Sequence, residues 1–225
     1  MHEQVFEPLK PAVVLGIAAH PDDLDFSTPA SMAKSTMEGV SVYYLILTDG
    51  SKGSDDRSMT SEQLVKIRVR EQLASLRAIG GKEATFLSYP DSKLQVTMDL
   101  KRDIVKEIRR LKPDLVITND PTFVYSARRG FINRSDHRAA GQATIDAVFP
   151  LAGDHLTFPD RLKTGSEPHK VKTLLLTNFE YLNSDIDVTE TVAKKWLALK
   201  AHQSNKGFHG NKKPLYGSSC PPLSG

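Results

Sequence analysis

Five short apolar runs of strand length, at residues 13–19, 41–48, 84–89, 115–118 and 173–177, are separated by segments with helical periodicity. Parallel strands need long crossovers, usually helical, so this alternation predicts βαβ units on a parallel sheet. The first crossover is a helix around residues 31–38, closed by Gly39. The second spans about 61–79, opened by the capping-box pair Thr60 and Gln63 and closed at Gly80-Gly81. Ile104, Val105, Ile108 and Leu111 mark a third helix that stops before Pro113. A fourth carries His137, Ala140, Ala143 and Val148, with Ser135 or Asp136 as its cap, and a late helix covers 192–201. With 225 residues, 39% hydrophobic, the chain can bury one three-layer core. Residues 1–206 are read as a single domain and 207–225 as a surface strap or partly disordered tail.

The formal charge of +3 is small and the basic residues are scattered along helices, which argues against a nucleic-acid partner. No apolar run approaches the roughly 20 residues that span a bilayer, and Met1-His2-Glu3-Gln4-Val5 is not a leader-like basic and apolar start. The single cysteine, Cys220, excludes an internal disulfide framework and agrees with a reducing compartment. A cytoplasmic protein with no membrane partner is the expectation.

The chemistry is concentrated where the first strand ends, at Ala19-His20-Pro21-Asp22-Asp23. A buried parallel strand delivers His20 to the carboxyl edge of the sheet, where open α/β folds place their ligands. Pro21 fixes a backbone angle, so His20 and Asp23 can converge on one cation while Asp22 stays uncommitted. Zinc favours such a mixture of imidazole nitrogen and carboxylate oxygen, and a free base beside an activated water completes a hydrolytic set. The best third donor is His137, at the start of the helix after the fourth strand and so at the same sheet edge. The intervening polar connection, residues 119–134, is longer than most loops of compact domains and is suspected of function.

On these motifs the chain resembles the LmbE and PIG-L family of zinc-dependent N-acetylglucosaminyl deacetylases. The resemblance is carried by Ala19-His20-Pro21-Asp22-Asp23 and Asp136-His137-Arg138-Ala139-Ala140-Gly141. Weaker support comes from Thr48-Asp49-Gly50-Ser51-Lys52-Gly53, the helix with Arg68 and Glu71, Pro113-Asp114-Leu115-Val116, and Leu199-Lys200-Ala201-His202-Gln203-Ser204. It implies a Rossmann-like α/β/α sandwich with a mostly parallel sheet. It also implies one zinc ion per chain, or iron in its place, on His20, Asp23 and His137, with Asp22 as general base. Arg68 and His202 would contact the substrate, a small N-acetylated amino-sugar conjugate, and relatives of this kind often form homo-oligomers. Arg134 stands where many members carry a histidine three residues before the distal ligand. Arginine cannot act as an acid near neutral pH but can donate to an oxyanion. Asn205 ends the late motif where glutamine is usual.

Plainer readings exist for each residue. Asp136, placed in the catalytic set with Asp22 and Arg134, has two ordinary and compatible uses, as a helix cap and in orienting a ligand, and Arg68 could be a solvated helix arginine. Tyr125, Arg128 and Arg129 are loop residues that either bind substrate or face water. Two other functions use the same acids. Asp23-Leu24-Asp25-Phe26-Ser27 approximates the nucleophile motif of haloacid-dehalogenase-type magnesium phosphatases, although His20-Pro21-Asp22 intervenes after the strand. A non-catalytic sugar- or nucleotide-binding module fits the sheet edge but leaves Asp22 without a purpose and lacks a Gly-x-Gly-x-x-Gly fingerprint.

Overall fold

A computed structural model describes residues 10–127, 130–159, 166–177, 183 and 185–205. In chain order the strands are β1 (Val13–Ala18), β2 (Ser41–Thr48), β3 (Glu83–Tyr89), β4 (Leu115–Asn119), β5 (Tyr125–Ser126), β6 (Phe131–Ile132) and β7 (Thr173–Thr177). The α-helices are α1 (Asp23–Ser27), α2 (Pro29–Met37), α3 (Ser61–Ala78), α4 (Met98–Leu111), α5 (Ser135–Asp146) and α6 (Val192–Ala201). Five strands form one sheet in the order β3-β2-β1-β4-β7, and every neighbouring pair is parallel. From β1 the chain winds outward through β2 to β3, then returns to the other side of β1 for β4 and β7. The order therefore reverses between β1 and β4, which opens a crevice at their carboxyl ends.

Side-chain alternation on buried strands divides the interior into two cores. Leu15, Ile17, Leu45, Leu47 and Val116 face α4 and α5, where Leu100, Ile104, Val105, Ile108, Ala140 and Ala143 meet them. Val14, Ala18, Val42, Tyr44, Ile46 and Ile117 face the opposite layer, against Leu24, Met32, Leu76, Ile79 and Ala198 of the α1, α2, α3 and α6 side. The three-layer sandwich expected from the alternating runs is thus the observed architecture.

The helix boundaries follow from local chemistry. The Thr60–Gln63 capping box is present in both directions, and Gly80 ends α3 at φ +82. The buried stripe of α3 runs Leu64, Arg68, Gln72, Ser75 and Leu76, so this face delivers polar groups as well as apolar ones to the interior. Three details differ from the sequence expectations. The residues after His20 form a short helix, α1, because the Asp22 carbonyl accepts the amides of Asp25 and Phe26 at 2.8 and 3.2 Å. The connection 119–134 contains the small β5–β6 hairpin. The residue at the N-cap of α5 is Arg134, and neither Ser135 nor Asp136 caps it, because both lie inside the first turn. The tail 207–225 and Arg128 and Arg129 lie outside the described residues.

Candidate metal centre

His20 leaves the end of β1 into the crevice and is 2% exposed. Its backbone amide donates to Asp23 Oδ2 at 2.8 Å, which folds the His-Pro-Asp-Asp turn back on itself. Gly50, at φ +63, supports the same turn: a Cβ there would lie 2.8 Å from Cδ of Pro21. On the other side of the crevice, Gly141 lets α5 press against β4, since a Cβ there would stand 2.2 Å from the Asn119 carbonyl oxygen. That close approach brings His137 into the site, and the His20 and His137 rings meet edge to face at 5.3 Å.

Three donors converge in the crevice. Asp23 Oδ2 lies 3.3 Å from His20 Nδ1, and Asp23 Oδ1 lies 3.2 Å from His137 Nε2. Both ring nitrogens are buried and neither has a hydrogen-bond partner. One donor atom from each of the three residues lies within 4.8 Å of the other two. A tetrahedral cation with bonds of about 2.0–2.1 Å sets its donors roughly 3.3 Å apart; each imidazole lies at about that distance from a different oxygen of Asp23. The residues therefore fit a divalent cation: two buried ring nitrogens without a well-aligned hydrogen bond flank one carboxylate.

A second cluster, His20, Asp91 and Asp136, is buried and faces the opposite nitrogen of the same ring. His20 Nε2 lies 3.1 Å from Asp136 Oδ2 and 3.3 Å from Asp91 Oδ1. Both carboxylates are already occupied as acceptors. Asp136 takes the amides of Ser92 and Leu94, and Asp91 takes the Lys52 amide and the Ser92 hydroxyl. They are best read as the acceptors that hold the Nε2 hydrogen and turn Nδ1 toward the crevice, the usual support of a metal-ligating histidine. The carboxylates around the ring also act on its charge. Burial pulls the His20 pKa down, but the carboxylates of Asp23 and Asp91 outweigh it, and it is pushed up to about 10. Burial would raise Asp23, yet His137 and His20 hold it well below the usual carboxylate range.

Asp22 is set apart from this convergence. It occupies φ +104, its amide donates to Gln72 Oε1 at 2.9 Å, and its Oδ2 accepts from Asn205 Nδ2 at 2.7 Å. Burial, with help from the Asp23 charge, pushes its carboxyl up to about 6, against the opposing pull of Arg68, His202 and Asn205. Arg68 is 8% exposed and bends beneath the 50–53 loop, where a Cβ on Gly50 would lie 3.2 Å from its Cδ. Behind Asp22, Asp25 Oδ2 accepts from Gln72 Nε2 at 2.7 Å and pairs with His202 Nε2 at 2.8 Å. His202 is 1% exposed, so it reaches the crevice through Asp25 and by charge rather than by an open face. Arg134 is exposed at the start of α5, and its charge is felt at His20. Tyr125 is 59% exposed on the hairpin that leads into α5.

Gln72 and Asp91 carry no motif signal in the sequence, and Asn205 enters only as the end of the late motif. Asp25 fits only the phosphatase motif. It is fully buried between Gln72 and His202, where it cannot serve a magnesium ion beside Asp23 as that motif requires. Among the described residues no helix is long and apolar enough to cross a membrane.

A doubly wound sheet with two histidines and an aspartate converging at its switch point, beside a second buried carboxylate, makes this an α/β protein with a candidate metal centre. Residues 15–148 match the PIG-L family model, described as GlcNAc-PI de-N-acetylase, and the chain belongs to that family of deacetylases. It is 30% identical over 191 residues to diacetylchitobiose deacetylase of Thermococcus kodakarensis, covering 85% of this chain and 69% of that protein. It is 29% identical over 171 residues to 1D-myo-inositol 2-acetamido-2-deoxy-alpha-D-glucopyranoside deacetylase of Rhodococcus erythropolis, covering 65% and 58% of the two. The solved N,N'-diacetylchitobiose deacetylase of Pyrococcus horikoshii superposes with a TM-score of 0.80 at 28% identity, over 87% of this chain and 71% of that one. Family membership removes the phosphatase and the non-catalytic binding module as readings of this chain.

Proposed function

We propose that this protein hydrolyses the N-acetyl amide of a small glucosamine-containing substrate, with a zinc ion held by His20, Asp23 and His137. The observation that carries the reading is the pair of orphaned, buried imidazole nitrogens facing one carboxylate, next to a second carboxylate that faces neither ring. A cation on those donors supplies Lewis acidity toward an amide carbonyl and a water. Asp22 takes the proton of the attacking water and returns it to the departing amine; a carboxyl pushed up to about 6 is poised for both transfers near neutrality. Asp136 and Asp91 hold the His20 ring in place. Arg134 donates to the carbonyl oxygen as negative charge grows there, the part a histidine plays in many relatives. Arg68 and Tyr125 contact the sugar conjugate, and the buried His202 supports the base from behind. The lone cysteine favours a reducing setting, and we assign the activity to the cytoplasm.

The test is amine release from N,N'-diacetylchitobiose and from an N-acetylglucosaminyl inositol, with metal content measured on the same preparation. The expected result is turnover of at least one substrate, abolished by a chelator and restored by zinc, with iron as the competing ion to compare. Asp22→Asn should keep the metal and lose on the order of a hundredfold or more in turnover, because the amide has the same size but no basic oxygen. Full turnover in that variant, or wild-type turnover without metal, sinks the reading.

A further inference from the structure

The loop that follows α6 reaches the catalytic turn from the far end of the described chain. Two anchors fix it to α3 and α1. The Ser204 amide and hydroxyl donate to Glu71 Oε1 and Oε2 at 2.7 and 2.6 Å, and His202 Nε2 pairs with Asp25 at 2.8 Å. The Asn205 amide donates in turn to the His202 carbonyl at 3.3 Å, which closes the loop on itself. Glu71 and Gln72 are consecutive on α3, so one turn of that helix grips both the late loop and the Asp22 backbone. Asn205 then stands at the end of a braced segment with its carboxamide nitrogen 2.7 Å from Asp22 Oδ2.

We infer that Asn205 is the positioning residue of the general base: its carboxamide pins Oδ2 of Asp22 and thereby aims Oδ1 at the attacking water. A carboxylate on a short side chain can rotate about its last bond, and a hydrogen bond to one oxygen removes that freedom. The Asp22 backbone cannot turn either, because Gln72 holds its amide at a positive φ. Asn205 acts through Asp22, the group its carboxamide bonds. The inference rests on Asp22 acting as the base, and it assigns a purpose to the late His202-Gln203-Ser204-Asn205 segment that metal binding leaves without one.

The experiment compares wild type, Asn205→Ala, Asn205→Gln and Asp22→Asn, each metal-loaded, on N,N'-diacetylchitobiose and on 4-nitrophenyl acetate, which offers an acyl group without a sugar. Metal stoichiometry and thermal midpoint are read on the same samples. The expected result for Asn205→Ala is a kcat lower by on the order of tenfold on whichever substrate turns over in an Asp22-dependent way, with KM, metal content and midpoint unchanged. Asn205→Gln restores most of that loss, since it carries the same donor on a longer arm. Wild-type kcat in Asn205→Ala overturns the inference while Asp22 remains the base. A loss that tracks a fall in midpoint or metal content, with no recovery in Asn205→Gln, overturns it in favour of a purely structural loop. If Asp22→Asn keeps the full rate, the general-base reading and this one fall together. Turnover of the acetate ester but not of the disaccharide rejects that disaccharide as the substrate, and the inference is then read on the ester.

Discussion

His20 is the most heavily constrained side chain of the site. One nitrogen faces Asp23 with no hydrogen bond, and the other faces two carboxylates that are themselves held by backbone amides and a hydroxyl. The direction of the ring is thus decided by Asp91 and Asp136 before any cation arrives. Replacing Asp136 by asparagine keeps the shape but weakens that hold, so metal affinity should fall about 10- to 100-fold, the usual effect of losing a group behind a ligand. His137→Ala removes a donor outright and should fall further, with metal lost on ordinary purification. Chelator competition on both variants measures this. Equal affinities in wild type and Asp136→Asn would mean that the ring needs no such support.

At the scale of elements, α5 carries His137 only because Gly141, one turn later, allows the helix to lie against Asn119. Gly141→Ala should therefore cost about 1–3 kcal/mol, since the Cβ meets a backbone oxygen that cannot rotate away, and metal affinity should drop with it. Gly39→Ala makes the contrast: φ is +86 but nothing lies within 4 Å, so it should cost about 1 kcal/mol and leave metal binding alone. Urea unfolding with a parallel metal titration separates the two, and equal metal affinity in both variants would refute the packing argument. Elements of this kind were legible in advance. The bounds of β2 and α6, the α3 capping box and the parallel pairing of the strands follow from period and punctuation that sit within one stretch of sequence. His20, Asp22 and Asp23 stand out as one unbroken motif, whereas His137 gains weight only from its companion motif at residues 136–141. Asp91 and Gln72 were not legible, because each is an ordinary polar residue whose partner lies 50 or more positions away and whose meaning comes from topology alone; Asn205 ends the late motif, but nothing local ties it to Asp22, 183 positions away. The α1 turn was missed because its acids read as loop, whereas tertiary bonds to Gln72 and His202 let Asp25 lie buried there.

The whole molecule is closed at both ends of its sheet by charge. At the amino edge, Asp114 accepts the amides of Ala12 and Val13 and pairs with Lys172, tying the entries of β1, β4 and β7 together. Its pKa is lowered, first by Lys172 and then by the Ala12 amide. A depressed carboxyl contributes stability above its unfolded value of about 3.9, and that contribution is lost as pH falls through the folded value. Asp114→Asn should therefore narrow the gap in urea midpoint between pH 7 and pH 3; an unchanged gap would show that this carboxylate plays no part in acid unfolding. At the carboxyl edge the proposed cation does the corresponding work, since its ligands come from the end of β1 and the start of α5, 114 to 117 positions apart in the chain. Such a site does not exist in the unfolded chain, so metal binding adds directly to folding stability. At a free zinc concentration about a hundredfold above Kd the gain is roughly 2.7 kcal/mol, which for a chain of this size raises the thermal midpoint by roughly 5–10 °C. The gain should shrink as pH falls, because imidazole and carboxylate must shed protons to bind, and it should vanish in His137→Ala. Thermal scans of chelated and zinc-loaded protein at several pH values test this, and a midpoint indifferent to zinc at neutral pH would remove the metal from the crevice altogether.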